Sequence, residues 1–302
     1  VAPTCSPVTV AALAAVAVSG AAMAQVTLSG NVTYGYAVSD TYSGFGTDGA
    51  SLNFAASEDL GGGLKLSASM GIDGIVETVS GASTVKANGN SIVLSGGFGT
   101  VAMATGVGGD AVALDQVMSL GDGTVGSTIG YTAPAFGPVT LSFTRKSGDA
   151  AIGAGAGGSN ASLNILGAKY AAGPVAAGLS LLSWNDSTSA NDSRTVITAS
   201  YDLGVAKIGV FNATHSFTTA GVTDLKNTAI QISAPVGPVS VSYERGSAKG
   251  GAIAAGQTNK GNSLSVSYAL SKRTALTAKT EKWDTSATAK SKASSLLLSH
   301  SF

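Results

Sequence analysis

The sequence predicts an all-β chain closed into an antiparallel barrel of sixteen strands. Three observations lead there. Apolar and polar residues alternate with a period of two, whereas no segment holds a helical period of comparable strength. Tight turns containing Gly or Pro recur at intervals of 31 to 40 residues, centred near 61, 97, 137, 173, 204, 237 and 271. The chain is also apolar yet poor in charge, with 44% hydrophobic and only 11% charged residues.

Composition excludes several classes. A disordered chain needs fewer apolar residues and more net charge. The 41 glycines fall at no three-residue period, so the chain is not collagen-like. Seventeen Lys and Arg balance seventeen Asp and Glu, without the basic excess of a nucleic-acid partner. The one cysteine, Cys5, permits neither an intrachain disulfide nor a multi-cysteine metal site.

Residues 8–18 form a short run rich in Ala and Val, followed by Ser19-Gly20-Ala21-Ala22-Met23-Ala24. The run is shorter than the roughly 20 residues that span a bilayer. Ala22-Met23-Ala24 fits the small-x-small cleavage rule, so residues 1–24 read as a secretory signal removed before Gln25. No basic residue precedes the run and no Met begins it, so the natural start is expected upstream. Residues 25–302 then form one barrel domain.

Its first strand shows the alternation best. Val26, Leu28, Val32, Tyr34, Tyr36 and Val38 are apolar, with Thr27, Ser29, Asn31 and Thr33 between them. That pattern gives a strand one wet face and one apolar face. It returns in Leu64–Asp73 and again in Ser263–Leu270. Together the periods and turns predict strands at 26–39, 51–58, 64–73, 91–95, 100–106, 126–133, 139–146 and 161–171. They continue at 175–184, 193–203, 205–217, 227–235, 239–246, 262–269, 274–284 and 293–302. A propeller blade needs four strands per 40-residue period, and here each period holds two strands and one long polar loop. An even number of strands, with short turns on one side and long loops on the other, describes a bacterial outer-membrane barrel. Closure follows because lipid cannot satisfy the backbone groups of an open edge. At sixteen strands the interior is wide enough for water.

The chain also resembles a known family, the trimeric general porins of Gram-negative bacteria in their β-proteobacterial form. The resemblance rests on Ala22-Met23-Ala24-Gln25 leading into Val26-Thr27-Leu28-Ser29-Gly30, and on Ser57-Glu58-Asp59-Leu60-Gly61-Gly62-Gly63-Leu64-Lys65. It continues in Leu94-Ser95-Gly96-Gly97-Phe98-Gly99-Thr100-Val101, Tyr268-Ala269-Leu270-Ser271-Lys272-Arg273-Thr274 and the final Phe302. It implies a homotrimer in outer-membrane lipid, a third long loop folded into the lumen as a constriction, and a passive channel for small hydrophilic solutes and ions. It also implies that the barrel-assembly machinery reads the C-terminal strand through Phe302. Two features depart from the pattern. The chain is short and sparsely aromatic, and Ser51 stands before Leu52-Asn53-Phe54 where basic residues are expected.

The loop between the fifth and sixth strands carries Asp110, Asp115 and Asp122 and no cation. On the strands, inward parity selects Lys65, Lys146, Lys169, Arg194, Lys207 and Lys279 against Asp73, Glu244 and Glu281. A basic wall facing an acidic loop sets up a transverse field that low-dielectric walls concentrate. The same residues also fit a plain hydrated lumen, and their signs nearly cancel, so no selectivity is assigned. Arg145, Arg245 and Lys282 fall on outward parity near strand ends. Tyr34, Tyr36, Tyr243 and Tyr268 fall on outward parity and suit an interfacial girdle.

Catalysis finds little support. His215 and His300 are the only histidines: His300 falls on the lipid-facing parity of the last strand, and His215, near an outer strand end, has no acidic sequence neighbour to orient it as a triad base. Gly106-Val107-Gly108-Gly109 lacks the strand–helix context of a dinucleotide site. No cofactor is expected. A structural or adhesive barrel with poor conductance is the alternative to a channel.

Overall fold

A strand that must face lipid on one side and water on the other places apolar residues at every second position. Here that pattern builds sixteen strands, which the computed structural model describes through residues 25–75, 85–107, 125–147, 162–185, 191–251, 253, 255–284 and 290–302. They are β1 (Gln25–Ser39), β2 (Ser43–Gly61), β3 (Leu64–Asp73), β4 (Lys86–Gly96), β5 (Gly99–Val107), β6 (Val125–Thr132), β7 (Val139–Ser147) and β8 (Ser162–Ala172). The second half comprises β9 (Val175–Asn185), β10 (Asn191–Asp202), β11 (Lys207–Phe217), β12 (Leu225–Val236), β13 (Val239–Lys249), β14 (Asn259–Ala269), β15 (Thr274–Asp284) and β16 (Lys290–Ser301). Residues 1–24 lie outside the described residues, as do Asp110, Asp115 and Asp122.

Each strand pairs antiparallel with its sequence neighbours, and β16 pairs with β1, so the sheet closes into a barrel without an edge. The closing register joins Asn31 to Ser301, Thr33 to Ser299 and Ser39 to Ala293. The anticipated pairing of the two terminal strands is therefore the one observed.

Alternation sorts the two faces. Outward rows hold Val26, Tyr34, Met70, Ile129, Leu166, Leu264 and Leu298, all exposed. Such a surface suits hydrocarbon rather than water. The inward rows are mostly Ser, Thr, Asn and Gly, with hydroxyl pairs joining neighbouring strands. Thr33 and Ser299 lie 2.9 Å apart, Ser69 and Ser91 2.7 Å, and the Thr277 hydroxyl donates to Ser267 at 2.9 Å. Each pair satisfies side chains that the wall would otherwise leave half-desolvated.

Seven hairpins close tightly at one end of the barrel. In two of them, Gly173 (φ 55°) and Gly237 (φ 61°) each precede a proline. A positive φ at the first of two turn residues matches the strand twist and favours glycine. Several strands run beyond the expected limits at the opposite end. β2 starts at Ser43 rather than residue 51, because Tyr36 pairs with Phe45 and Val38 with Ser43. A bulge between Thr33 and Tyr34 shifts that register. Pairing thus outlasts the apolar band into stretches whose Gly and Ser show no alternation.

Candidate functional site: the barrel lumen

The nine wall residues expected from parity all lie on inward rows. On β3, Lys65 stands opposite Ser95, and Asp73 opposite Ser51. Lys146 on β7 faces Leu163 across to β8, and Lys169 on β8 faces Gly178 of β9. Arg194 on β10 lies between Leu182 and His215, and Lys207 on β11 opposite Asp202 and Ser233. Glu244 on β13 stands between Gln231 and Ser263. Lys279 and Glu281, two residues apart on β15, form an ion pair of 3.0 Å.

Pairing gathers what the sequence scatters. Four cations, Lys146, Lys169, Arg194 and Lys207, stand on one wall, β7 to β11, with Lys146 and Arg194 towards the long-loop end and Lys169 and Lys207 towards the turns. The carboxylates Asp73, Glu244 and Glu281 stand on β3, β13 and β15. β9 and β1 are eight strands apart in the ring of sixteen, so the cationic wall faces the terminal strands across the lumen. Lys169 and Lys207 flank a recess of about 400 Å³ that is lined also by Thr198, Ser200 and Gln231.

One feature of this wall is not anticipated from the sequence. Leu163, Leu182, Val196, Phe211, Ala213 and Ala229 face inward on β8 to β12 and form a single buried cluster, with Ile165 and Trp184 packed against it. Leu182 is only 2% exposed and Leu163 3%. Beside them the rings of Trp184 and His215 stack at 5.1 Å, and those of His215 and Phe217 at 4.5 Å. The signal available was apolar residues on both parities of Leu179-Ser180-Leu181-Leu182-Ser183-Trp184, which a strand wet on one face does not need. Two cations sit in this apolar setting, Lys146 at 2% and Arg194 at 3% exposure.

The outward residues also lie as parity places them. Tyr34, Tyr36, Tyr243 and Tyr268 are exposed on the outer face, and Tyr36 meets Phe45 at 4.7 Å between ring centres. His300 is on the outer face as well, its Nδ1 2.9 Å from the Thr274 hydroxyl.

A family model of Gram-negative porins matches residues 9–288. The chain belongs to the Gram-negative porin family. It is a passive diffusion channel of the bacterial outer membrane. No curated protein sequence matches it. Among solved structures, an anion-selective porin from Comamonas acidovorans superposes with a TM-score of 0.74 at 22% identity, covering 93% of this porin and 100% of its own chain. Salmonella typhi OmpF, in complex with daunomycin, gives 0.76 at 10% identity, covering 92% and 97%. The trimer form of Vibrio cholerae OmpT gives 0.70 at 13% identity, covering 92% and 99%. At such identities these likenesses concern the fold. The family and the fold are those of channels rather than enzymes.

Proposed function

We propose that this porin sorts solutes by charge at a constriction made by the loop after β5 and the cationic wall of β7 to β11. The buried lumenal cluster carries the reading. Leu163, Leu182, Val196 and Phe211 face the interior of a barrel wide enough for water, yet are buried. Apolar surface of that kind is stabilised only when other apolar groups cover it. The segment 108–124 contains Val112, Leu114, Val117, Met118 and Leu120, enough to supply such a cover. Folded inward, it brings Asp110, Asp115 and Asp122 towards Lys146 and Arg194. The carboxylates and cations then create a field across the narrowest part of the water path.

The same reading includes a secretory signal cleaved before Gln25, a homotrimer, and recognition of Phe302 by the assembly machinery. Recording conductance of the purified protein in a planar bilayer, with reversal potential under a salt gradient, tests the central point. Steady conductance with a charge preference altered by neutralising Asp115 is the expected result. A barrel that barely conducts overturns it.

A further inference from the structure

On the long-loop side, the outward rows of β12 to β16 all carry cations near their ends, although that of β15 finishes in Asp284. Lys226 faces Lys249 across β12 and β13, and Arg245 faces Ile230. Lys260 on β14 faces Ser247, Lys282 on β15 faces Lys292 on β16, and Lys290 faces Asp284. All seven are exposed. They stand directly above exposed Ile230, Tyr243, Leu264 and Leu296 on the same rows. Two residues advance a strand by roughly 6.7 Å, so the cations lie one to three such steps above the apolar band. Among the described residues, two of the carboxylates at this level are engaged. Asp284 accepts the Lys260 amide at 2.8 Å and approaches Lys290 at 4.0 Å, Asp40 accepts the Lys292 amide at 2.9 Å, and Asp224 lies beyond the start of β12. The belt is one-sided, since the outward rows of β1, β2 and β3 end at this side in the uncharged Val38, Ser43 and Ile72.

Within the belt, an outer recess of about 330 Å³ lies between β12, β13 and β14. It is lined by Thr228, Ile230, Arg245, Ser247 and Lys260 and the backbone of Ala229 and Gly246. The Thr228 and Ser247 hydroxyls are 2.9 Å apart. Two cations and two hydroxyls around one recess, with Ile230 at its edge, suit a phosphate that is joined to an acyl chain. Long loops mark the outer side of such barrels, so the belt is level with headgroups of the outer leaflet. We propose that β12 to β16 form a docking surface for phosphorylated headgroups of outer-leaflet lipid, with one phosphate seated between Arg245 and Lys260. A positive belt of this kind strengthens lipid attachment by charge and is screened by salt.

The full porin, folded in detergent, is titrated with diphosphorylated lipid A, with its dephosphorylated counterpart and with inorganic phosphate, and bound lipid is counted by native mass spectrometry. The phosphorylated lipid is expected to bind at least about tenfold more tightly than the dephosphorylated one, and progressively less as sodium chloride is raised. Arg245→Ala combined with Lys260→Ala is expected to weaken it by roughly tenfold or more. Single-channel conductance should not change, because both side chains point away from the water path. The charge-preserving pair R245K and K260R should retain binding. Equal binding of the two lipids overturns the proposal, as does unchanged binding by the double alanine variant. Displacement of the lipid by an equal concentration of inorganic phosphate also overturns it, since the site would then be one for free anions. Should the alanine variant fail to fold, the lipid comparison and the salt series on the unaltered porin decide.

Discussion

Gly30 and Phe302 exchange two backbone hydrogen bonds. The Gly30 amide donates to the Phe302 carbonyl at 3.1 Å, and the Phe302 amide donates to the Gly30 carbonyl at 3.0 Å. The last residue of the chain thereby completes the seam, and its ring lies over the glycine. A Cβ built on Gly30 would stand 2.6 Å from Phe302 Cζ and 2.7 Å from the Ser51 carbonyl oxygen. The glycine is what leaves room for the ring at this point of the strand.

Replacing Gly30 by valine is therefore expected to destabilise the folded barrel by about 1–3 kcal/mol, the usual cost of crowding a packed position. The ring can swing away, but the Ser51 carbonyl belongs to a paired strand and cannot. Urea titration of the barrel in detergent, followed by heat-modifiable mobility, measures the loss. A midpoint equal to that of the unaltered porin would mean that the seam tolerates a side chain here.

The Phe302 ring and the Phe302 backbone can be separated by experiment. Phe302→Ala keeps both hydrogen bonds to Gly30 and removes a ring that is 47% exposed. Its burial contributes at most about 2 kcal/mol, so refolding into detergent is expected to be nearly intact. If the assembly machinery reads this residue, the amount of folded protein in the outer membrane of cells falls sharply. Unchanged levels in cells would leave Phe302 as a packing residue only.

Strand number, face and closure were legible in the sequence because each rests on local chemistry. Val26 to Val38 alternate in sequence as they do in space, and Gly173-Pro174 turns the chain wherever it lies. The apolar lumenal cluster was not legible, since Leu163, Leu182, Val196 and Phe211 meet only through the registers of four strands. Parity assigns each of them inward but cannot say that they touch. The grouping of Lys146, Lys169, Arg194 and Lys207 on one wall was hidden for the same reason, as was the outer belt from Lys226 to Lys292. Loop position is a further step removed, because Asp110, Asp115 and Asp122 follow no strand period.

If the lumenal cluster is packed as a core, its members behave as core residues despite lying inside a channel. Leu182→Ala is expected to cost about 2–5 kcal/mol, as in buried positions elsewhere. Ser265→Ala on the hydroxyl-lined wall is expected to change stability by less than about 0.5 kcal/mol. Chemical unfolding of both variants gives the comparison. Equal effects would show that the cluster is no more a core than the rest of the wall.

The charges of the lumen give the last test. Asp110, Asp115 and Asp122 changed together to Asn remove three negative charges and leave Lys146, Lys169, Arg194 and Lys207 in place. If that loop faces the cationic wall, the remaining field draws anions, and the reversal potential under a salt gradient moves towards that of chloride. The shift should be large in dilute salt, where the Debye length of about 10 Å at 0.1 M spans much of the lumen. It should shrink at 1 M, where the length is about 3 Å. Arg194→Gln should move the potential the opposite way, because it removes charge from the facing wall. Arg194 is packed among Leu182 and His215, so that variant also needs the heat-modifiability check before its conductance is read. A triple variant whose reversal potential is unchanged would place the three carboxylates away from the ion path, and the constriction would then have to be built from the strands alone.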